Sequence, residues 1–235
     1  MLAFEAIPLI RLGRATLSSL PTAERGPVTP FDLTVYQHET VVVVGDESSG
    51  VDGLGAIAMG LESPPAGHAR VLNEEIGALD RRGQLAFRRR VGYLPAGDGL
   101  LHNLTLRDNV RLPLRFGSDF QDREIEGRVD VILAQLRLGR VAGSRPAQAD
   151  AEERRRTALA RALAFDPELV ILEQPFDGLT DRVASELLEA ARGGEISEGS
   201  RRTVFITGQE LPGLLRLRVD RLIRVTKGKA EVVTA

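Results

Sequence analysis

The sequence predicts an α/β fold with a parallel sheet, because short apolar runs alternate with helical patterns along the chain. The runs cover residues 41–44, 169–172 and 203–207 and read VVVV, LVIL and TVFIT. Continuous rather than alternating apolarity is typical of a strand whose sheet is covered on both faces. We therefore expect three buried parallel strands.

Helical patterns occupy the segments between these strands. Residues 122–138 and 152–164 are apolar at every third or fourth position, so each segment is expected to pack one stripe against its neighbours. A third, shorter helix is expected to begin at Thr105, which can cap the amide of Asp108, and to be cut off by Pro113. The two longer stripes are Ile125, Val129, Ile132 and Leu136, and Leu159, Ala162 and Leu163.

The ends of the chain predict the periphery of one domain. Residues 1–40 alternate weakly and suggest antiparallel strands, and the tail RLIRVTKGKAEVV alternates around Lys227-Gly228-Lys229, which suggests a hairpin. The expected organisation is a single domain over residues 1–235, with peripheral strands at about 1–40, a core at about 41–94 and 165–235, and a helical subdomain at about 95–164.

Composition excludes several functional classes. The chain is 43% hydrophobic and 27% charged with a formal net charge of -2, which gives no overall attraction to nucleic acid. The absence of cysteine excludes disulfides and cysteine-based catalysis. No apolar run approaches the roughly 18 residues that a membrane span needs, and no signal peptide pattern opens the chain. Any membrane role is therefore expected to come through a partner.

Two arginine runs lie at 88–90 and 154–156, in a chain with only two lysines. Both runs are short, lie near acids and lack interleaved aromatic residues, which is not the pattern of a nucleic-acid site. We expect solvated helix faces or salt bridges there.

The stretch VVVVGDESSGVDG, residues 41–53, has the outline of a phosphate-binding loop. An apolar strand leads into G-x-x-x-x-G, the spacing at which backbone amides can cradle phosphates. The consensus continues with Lys and then Ser or Thr, but here Val51 and Asp52 occupy those places. Asp46 and Glu47 add two more acids to the same turn.

Two later segments carry a resemblance that includes this loop. They are VGYLPAGDGLLHNLTLRDNVRLPLRF at 91–116 and RRRTALARALAFDPELVILEQPFDGLT at 154–180. In this order, the three segments resemble the ATP-binding subunits of ABC transporters over nearly the whole chain. The resemblance implies a P-loop NTPase-like fold with a RecA-like core, an N-terminal antiparallel β subdomain and a helical subdomain. The phrases LTLRDNVRLPLRF and QPFDGLT resemble the lipid-trafficking Mla/Mce-type importers within the family.

The same resemblance indicates that the nucleotide-contacting positions have changed. The lysine that meets the β- and γ-phosphates in the family is Val51 here, and a lost hydrogen bond to a charged group costs about 1.5–3 kcal/mol. The catalytic base is replaced by Gln174, an amide that cannot accept a proton, and loss of a general base typically costs about 10²–10⁴-fold in rate. The degenerate phosphate loop comprises Gly45, Ser49, Gly50, Val51, Asp52 and Gly53, and the degenerate signature motif comprises Asp150, Ala151 and Glu152. Ala96 stands at the position of the Gln-loop glutamine, and Glu173 at that of the second Walker acid. Gln174 stands at the position of the catalytic base, and Gly208 at that of the switch histidine.

These replacements predict a pseudo-ATPase with no catalytic residue, no bound cofactor and no metal. By resemblance, its partners are an integral membrane permease and a second ABC-type subunit, identical or different, and no nucleic acid. It is expected in the cytoplasm, held at the inner membrane through the permease. The expected permease contacts are Leu100, Leu101, Leu104, Leu106 and Val110.

Two alternatives remain open from the sequence. One is a divergent ATPase that still binds ATP and Mg²⁺, in which Asp52 and Glu173 share the metal. The other is a soluble assembly or regulatory protein derived from a transporter subunit.

Overall fold

The computed structural model describes residues 7–15, 31–193, 201–226 and 229–233. Its strands are β1 (Pro8–Ala15), β2 (Phe31–Tyr36), β3 (Thr40–Gly45), β4 (His68–Val71), β5 (Val91–Leu94), β6 (Leu169–Glu173), β7 (Thr203–Gly208), β8 (Arg221–Thr226) and β9 (Lys229–Val233). Its α-helices are α1 (Leu54–Ala58), α2 (Arg81–Arg90), α3 (Leu106–Gly117), α4 (Asp122–Gln135), α5 (Ala151–Ala162) and α6 (Asp181–Arg192).

The main sheet has six strands in the order β5-β6-β7-β3-β8-β9. All neighbours pair in parallel except β8 and β9, which are antiparallel. The predicted parallel strands and the paired tail are confirmed, while Lys227 and Gly228 of the expected turn lie outside the described residues. A parallel sheet with helical connections is the α/β class that the sequence predicts.

A smaller antiparallel sheet has the order β2-β1-β4. The antiparallel pairing of β1 with β2 is confirmed, and residues 1–6 and 16–30 of the expected peripheral region lie outside the described part of the chain. Strand β4 was not expected from sequence, because its four residues HARV alternate too briefly to signal a strand.

The main sheet is buried on both faces, as its continuous apolar runs predict. Alternate residues of one strand enter opposite cores, since Val42 and Val44 lie in one apolar cluster while Val41 and Val43 lie in the other. The first cluster packs the sheet against α3, α4, α5 and α6. The second packs it against the small sheet and α1.

The expected end of α3 at Pro113 is wrong, because the helix continues to Gly117 with the proline inside it. An interior proline costs about 3 kcal/mol. Leu106, Val110 and Leu114 are each fully buried along one face of α3, and this packing holds the turn beyond the proline. The expected cap is confirmed, since Thr105 Oγ1 accepts a hydrogen bond from the amide of Asp108 at 3.0 Å.

The apolar stripe of α4 is confirmed, with all four predicted residues buried. The helix ends at Gln135 rather than Leu138, because Arg137 adopts a left-handed backbone with φ of 58°. Similarly, α5 ends at Ala162, two residues before the expected end.

Candidate functional site

The turn after β3 is held together by hydrogen bonds from its own residues. The Asp46 carboxylate accepts from the amide of Ser48 at 3.0 Å and from its hydroxyl at 2.6 Å. The carbonyl of Asp46 accepts from the amide of Ser49 at 2.9 Å. These amides are the donors that a phosphate-binding loop points at its ligand, and here each has an acceptor inside the loop.

The second half of the loop continues this internal pattern. Gly50 has φ of 75°, a left-handed conformation that favours glycine. The amide of Gly53 donates to the carbonyl of Gly50 at 3.2 Å, and the amide of Val51 donates to Ser49 Oγ at 3.3 Å.

Val51 is fully buried and packs in the apolar core, instead of lining an anion site. The helix that follows, α1, has only five residues. A helix of this length offers few aligned peptide dipoles to attract an anion. Position 51 therefore contributes to the core.

Glu173, the last residue of β6, fills the space between three segments. Its side chain is buried, and Oε2 accepts a hydrogen bond from the amide of Ala96 at 3.0 Å. A Cβ placed on Gly55 would lie 2.1 Å from Oε1, so the carboxylate packs directly against the backbone of α1. Oε1 itself is buried without a hydrogen-bond partner among the described residues.

Burial is the main reason that the pKa of Glu173 is raised, and the nearby amide of Ala96 and hydroxyl of Tyr93 partly oppose it. The pKa of Tyr93 is also raised, first by burial and then by the charge of Glu173. The pocket around this carboxylate is therefore poorly solvated.

Gln174 lies against the loop. Its backbone is left-handed with φ of 45°, and its amide donates to the carbonyl of Thr207 at 2.7 Å. Its Nε2 is 3.3 Å from Asp52 Oδ1. Burial raises the pKa of Asp52, Gln174 opposes this, and the charges of Glu47 and Asp177 raise it further.

Gly208 ends β7 beside Gln174. A Cβ at this position would meet nothing closer than 3.8 Å, so the site has room for a side chain. The carboxyl ends of β5, β6, β7 and β3 adjoin in the sheet, which is why Ala96, Glu173, Gln174, Gly208 and the loop come together.

The signature-equivalent residues have structural roles at the start of α5. Asp150 caps the helix by accepting from the amide of Glu153 at 2.7 Å, and Glu153 Oε2 accepts from the amide of Asp150 at 2.9 Å. Glu152 pairs with the buried Arg156 at 2.8 Å, and Ala151 is the first residue of the helix. These contacts of Asp150 and Glu152 thus join them to residues of α5 itself.

Three arginines of α5 hold the segment after β5, a role that was not expected from sequence. Arg155 donates to the carbonyl of Gly97, and Arg161 donates to that of Gly99 at 2.7 Å. Arg154 pairs with Asp98 at 3.2 Å. The seven-residue spacing of Arg154 and Arg161 places them on one helix face, which was the available signal. In the 154–156 run, Arg154 and Arg156 form the expected salt bridges, whereas Arg155 donates to a backbone carbonyl.

Asn109 fixes the next part of the same segment. It is fully buried in α3, where Oδ1 accepts from the amide of Leu101 at 2.8 Å. Its Nδ2 donates to the carbonyls of Leu101 and Thr105 at 3.1 and 2.9 Å. Segment 96–101 is therefore anchored from β6, α3 and α5 together.

The expected permease contacts divide into two groups. Leu100, Leu106 and Val110 are buried in the core and cannot reach a partner without rearrangement. Leu101 is 44% exposed and Leu104 is half-buried, so these two remain available.

No three His, Asp or Glu side chains gather as a potential metal site in residues 7–15, 31–193, 201–226 and 229–233. Across the same residues, every helix is too short or too polar to cross a membrane.

Curated relatives align over most of this chain. Methionine import ATP-binding protein MetN 2 of Pseudomonas aeruginosa is 28% identical over 188 residues, covering 80% of the chain and 56% of the relative. Sulfate/thiosulfate import ATP-binding protein CysA 1 of Shewanella oneidensis is 31% identical, covering 88% and 54%. Lipoprotein-releasing system ATP-binding protein LolD of Pseudomonas syringae is 29% identical, covering 88% and 91%. The chain thus spans about half the length of the import proteins.

The fold matches solved ATP-binding cassettes. The dimeric cassette MJ0796 bound to ADP and Pi superposes with a TM-score of 0.83 at 23% identity, covering 97% of this chain and 100% of that one. A family model described as ABC transporter matches residues 28–177, more than half of the chain. The chain therefore belongs to the ABC transporter ATP-binding domain family.

Proposed function

We propose that this chain is a non-catalytic member of its family, which docks on a membrane permease as a structural or regulatory subunit and neither binds nor hydrolyses ATP. The observation that carries the proposal is the closed turn after β3. The amides of Ser48, Ser49, Val51 and Gly53 all donate to acceptors within the loop.

Charge around the loop supports the same proposal. Asp46 and Asp52 place carboxylates where a polyphosphate would bring several negative charges, and Val51 supplies no cation. Binding a phosphate there would require breaking the internal bonds and overcoming this repulsion. These residues do not fit ATP with Mg²⁺.

The residues near the end of β6 do not supply hydrolysis chemistry. Gln174 cannot act as a general base, and Gly208 carries no side chain that could contact a phosphate. The carboxylate of Glu173 is directed to Ala96 and Gly55, which does not favour the alternative of a metal shared with Asp52.

Permease docking is supported by an exposed apolar surface beside an anchored segment. Leu101 in segment 96–101 is 44% exposed, Leu104 is half-buried three residues further on, and Phe116 at the end of α3 is 77% exposed. Pairing with a second cassette, identical or different, is supported by the dimeric MJ0796 structure. In this arrangement the chain lies at the cytoplasmic membrane face, and any energy for transport comes from another subunit.

The cargo that we propose is a lipid, on the resemblance of LTLRDNVRLPLRF and QPFDGLT to the Mla/Mce-type importers. Lipid analysis of the purified complex tests this part alone. A complex without enriched lipid contradicts it.

Calorimetric titration of the purified protein with MgATP tests the loss of binding. We expect no saturable heat up to millimolar nucleotide and no ATP-dependent rise in Tm, since a ligand stabilises only a fold that it binds. LolD of Pseudomonas syringae serves as the positive control. Micromolar binding by this chain would contradict the proposal.

A pair of variants tests docking. Leu101→Asp with Leu104→Asp should abolish copurification with a polytopic membrane protein, because these are the two proposed contact residues that are not buried in the core. Val131→Asp is the matched control, since Val131 is an apolar residue of α4 that is 57% exposed and lies outside the segment that carries Leu101 and Leu104. Equal copurification of both variants would refute this contact.

A further inference from the structure

Helix α2 concentrates positive charge on a short surface. Its ten residues RRGQLAFRRR contain five arginines and no acid. Arg90 pairs with Glu168 at 2.5 Å. The other four arginines make no ion pair or hydrogen bond within the described part of the chain, and all four are exposed: Arg81, Arg82, Arg88 and Arg89.

These four arginines share one face of the helix. At about 100° per residue they fall within an arc of about 120°. Leu85 lies at the centre of the arc and is 43% exposed, while Phe87 lies on the opposite side and is 3% exposed in the core. The exposed face thus has an apolar centre within a cationic border.

The fold does not neutralise this face. Arg81 and Arg82 occupy the first turn of α2, where the helix dipole disfavours cations. The carboxylate of Asp80 is directed to the amide of Gly83 as a cap, at 2.7 Å, and is therefore oriented by the backbone. The dipole stabilises Arg88 and Arg89 in the last turn, but mutual repulsion among the four arginines still favours an external anionic surface as the counter-charge.

We propose that α2 binds the anionic lipid headgroups of a bilayer, with Leu85 entering the interface between the arginines. Basic residues around an exposed apolar side chain are what an interfacial helix presents to an acidic membrane. A nucleic-acid partner is less well matched, because α2 exposes no aromatic residue on which a base could stack. The contact goes beyond permease docking, since it requires only the lipid surface.

Flotation with vesicles tests the contact on the full chain without any permease. Vesicles of phosphatidylcholine with about 30% phosphatidylglycerol should bind the protein at low salt, and vesicles of phosphatidylcholine alone should not. Replacing Arg81, Arg82, Arg88 and Arg89 by Gln should lower the partition coefficient at least about tenfold. Raising the salt to about 0.5 M should have a similar effect, because the charges are screened.

The matched control replaces four arginines elsewhere that are also exposed and without ion pairs in the described ranges, and it should bind as the wild type does. They are Arg123, Arg140, Arg216 and Arg224. Absence of binding to anionic vesicles, equal loss in both quadruple variants, or binding only to an added RNA would each overturn the proposal. None of these results changes the expected titration with MgATP, so the two proposals fail separately.

Discussion

The packing of Glu173 against Gly55 makes a sharp prediction about two substitutions. Gly55→Ala would bring Cβ to 2.1 Å from Glu173 Oε1 and 2.7 Å from its Cδ, so the carboxylate must move. Moving it breaks the bond from the Ala96 amide, which is worth about 1.5–3 kcal/mol for a charged acceptor. Overpacking adds about 1–3 kcal/mol. We expect the free energy of unfolding to fall by about 3 kcal/mol.

The effect of Gly55→Ala on the free energy of unfolding should change sign when the carboxylate of Glu173 is absent. In a Glu173→Ala background the clash is gone, and alanine in a helix is favoured over glycine by about 0.5–1 kcal/mol. Gly55→Ala should then be neutral or stabilising, so the coupling energy of the double-mutant cycle is about 3 kcal/mol.

Urea denaturation of the four proteins measures this cycle. Gly53→Ala is the control, because a Cβ at Gly53 meets nothing within 4 Å and its backbone is right-handed. This variant should change the free energy of unfolding by less than about 0.5 kcal/mol. A coupling energy near zero between positions 55 and 173 would refute the proposed packing of the carboxylate.

Three further substitutions probe the site. Asn109→Ala should lower the free energy of unfolding by about 3 kcal/mol, because it leaves the amide of Leu101 without its buried acceptor; an unchanged urea midpoint would contradict this. Burial raises the pKa of Glu173 in the folded state above its ordinary value of 4.5, so the free energy of unfolding should fall as pH rises above 4.5. Glu173→Gln should remove this fall when urea midpoints are measured against pH. A pH profile of the variant parallel to that of the wild type would contradict this. Gly208→His should fold with a stability change below about 1 kcal/mol, since the position has room, and phosphate release should stay at background; turnover by this single variant would refute the loss of binding.

The three central strands of the main sheet, β3, β6 and β7, could be predicted from sequence because their signal is local, whereas β5 was not expected. The runs at 41–44, 169–172 and 203–207 are apolar at every position, and a sheet buried on both faces leaves few other interpretations. The course of the chain past Pro113 could not be predicted, since it depends on how the buried face of α3 packs against distant segments. Propensity describes the proline alone, whereas tertiary packing decides whether the helix continues.

In the candidate site, too, the residue types could be predicted from sequence and their three-dimensional arrangement could not. The changed residues at positions 51, 52 and 174 could be identified from spacing and resemblance. Their arrangement could not, because the contact of Glu173 with Ala96 joins residues 77 positions apart, and only the folded sheet brings them together. The internal hydrogen bonds of the turn after β3 also depend on backbone angles that residue types do not determine. The sequence also could not distinguish Leu101, which is exposed, from Leu106, which is buried, because both positions carry the same side chain.

The closed turn after β3 has a consequence for the supply of folded protein in a cell. A fold that binds a ligand gains free energy of unfolding in proportion to the logarithm of the ligand concentration above Kd, so its folded population varies with metabolite levels. Here Asp46, Ser49 and Gly50 provide the hydrogen-bond acceptors for the amides of the turn. These acceptors belong to the chain itself, so their supply does not depend on the concentration of any ligand. On our proposal that the chain binds no ATP, its folded fraction should therefore be the same in starved and in energy-rich cells.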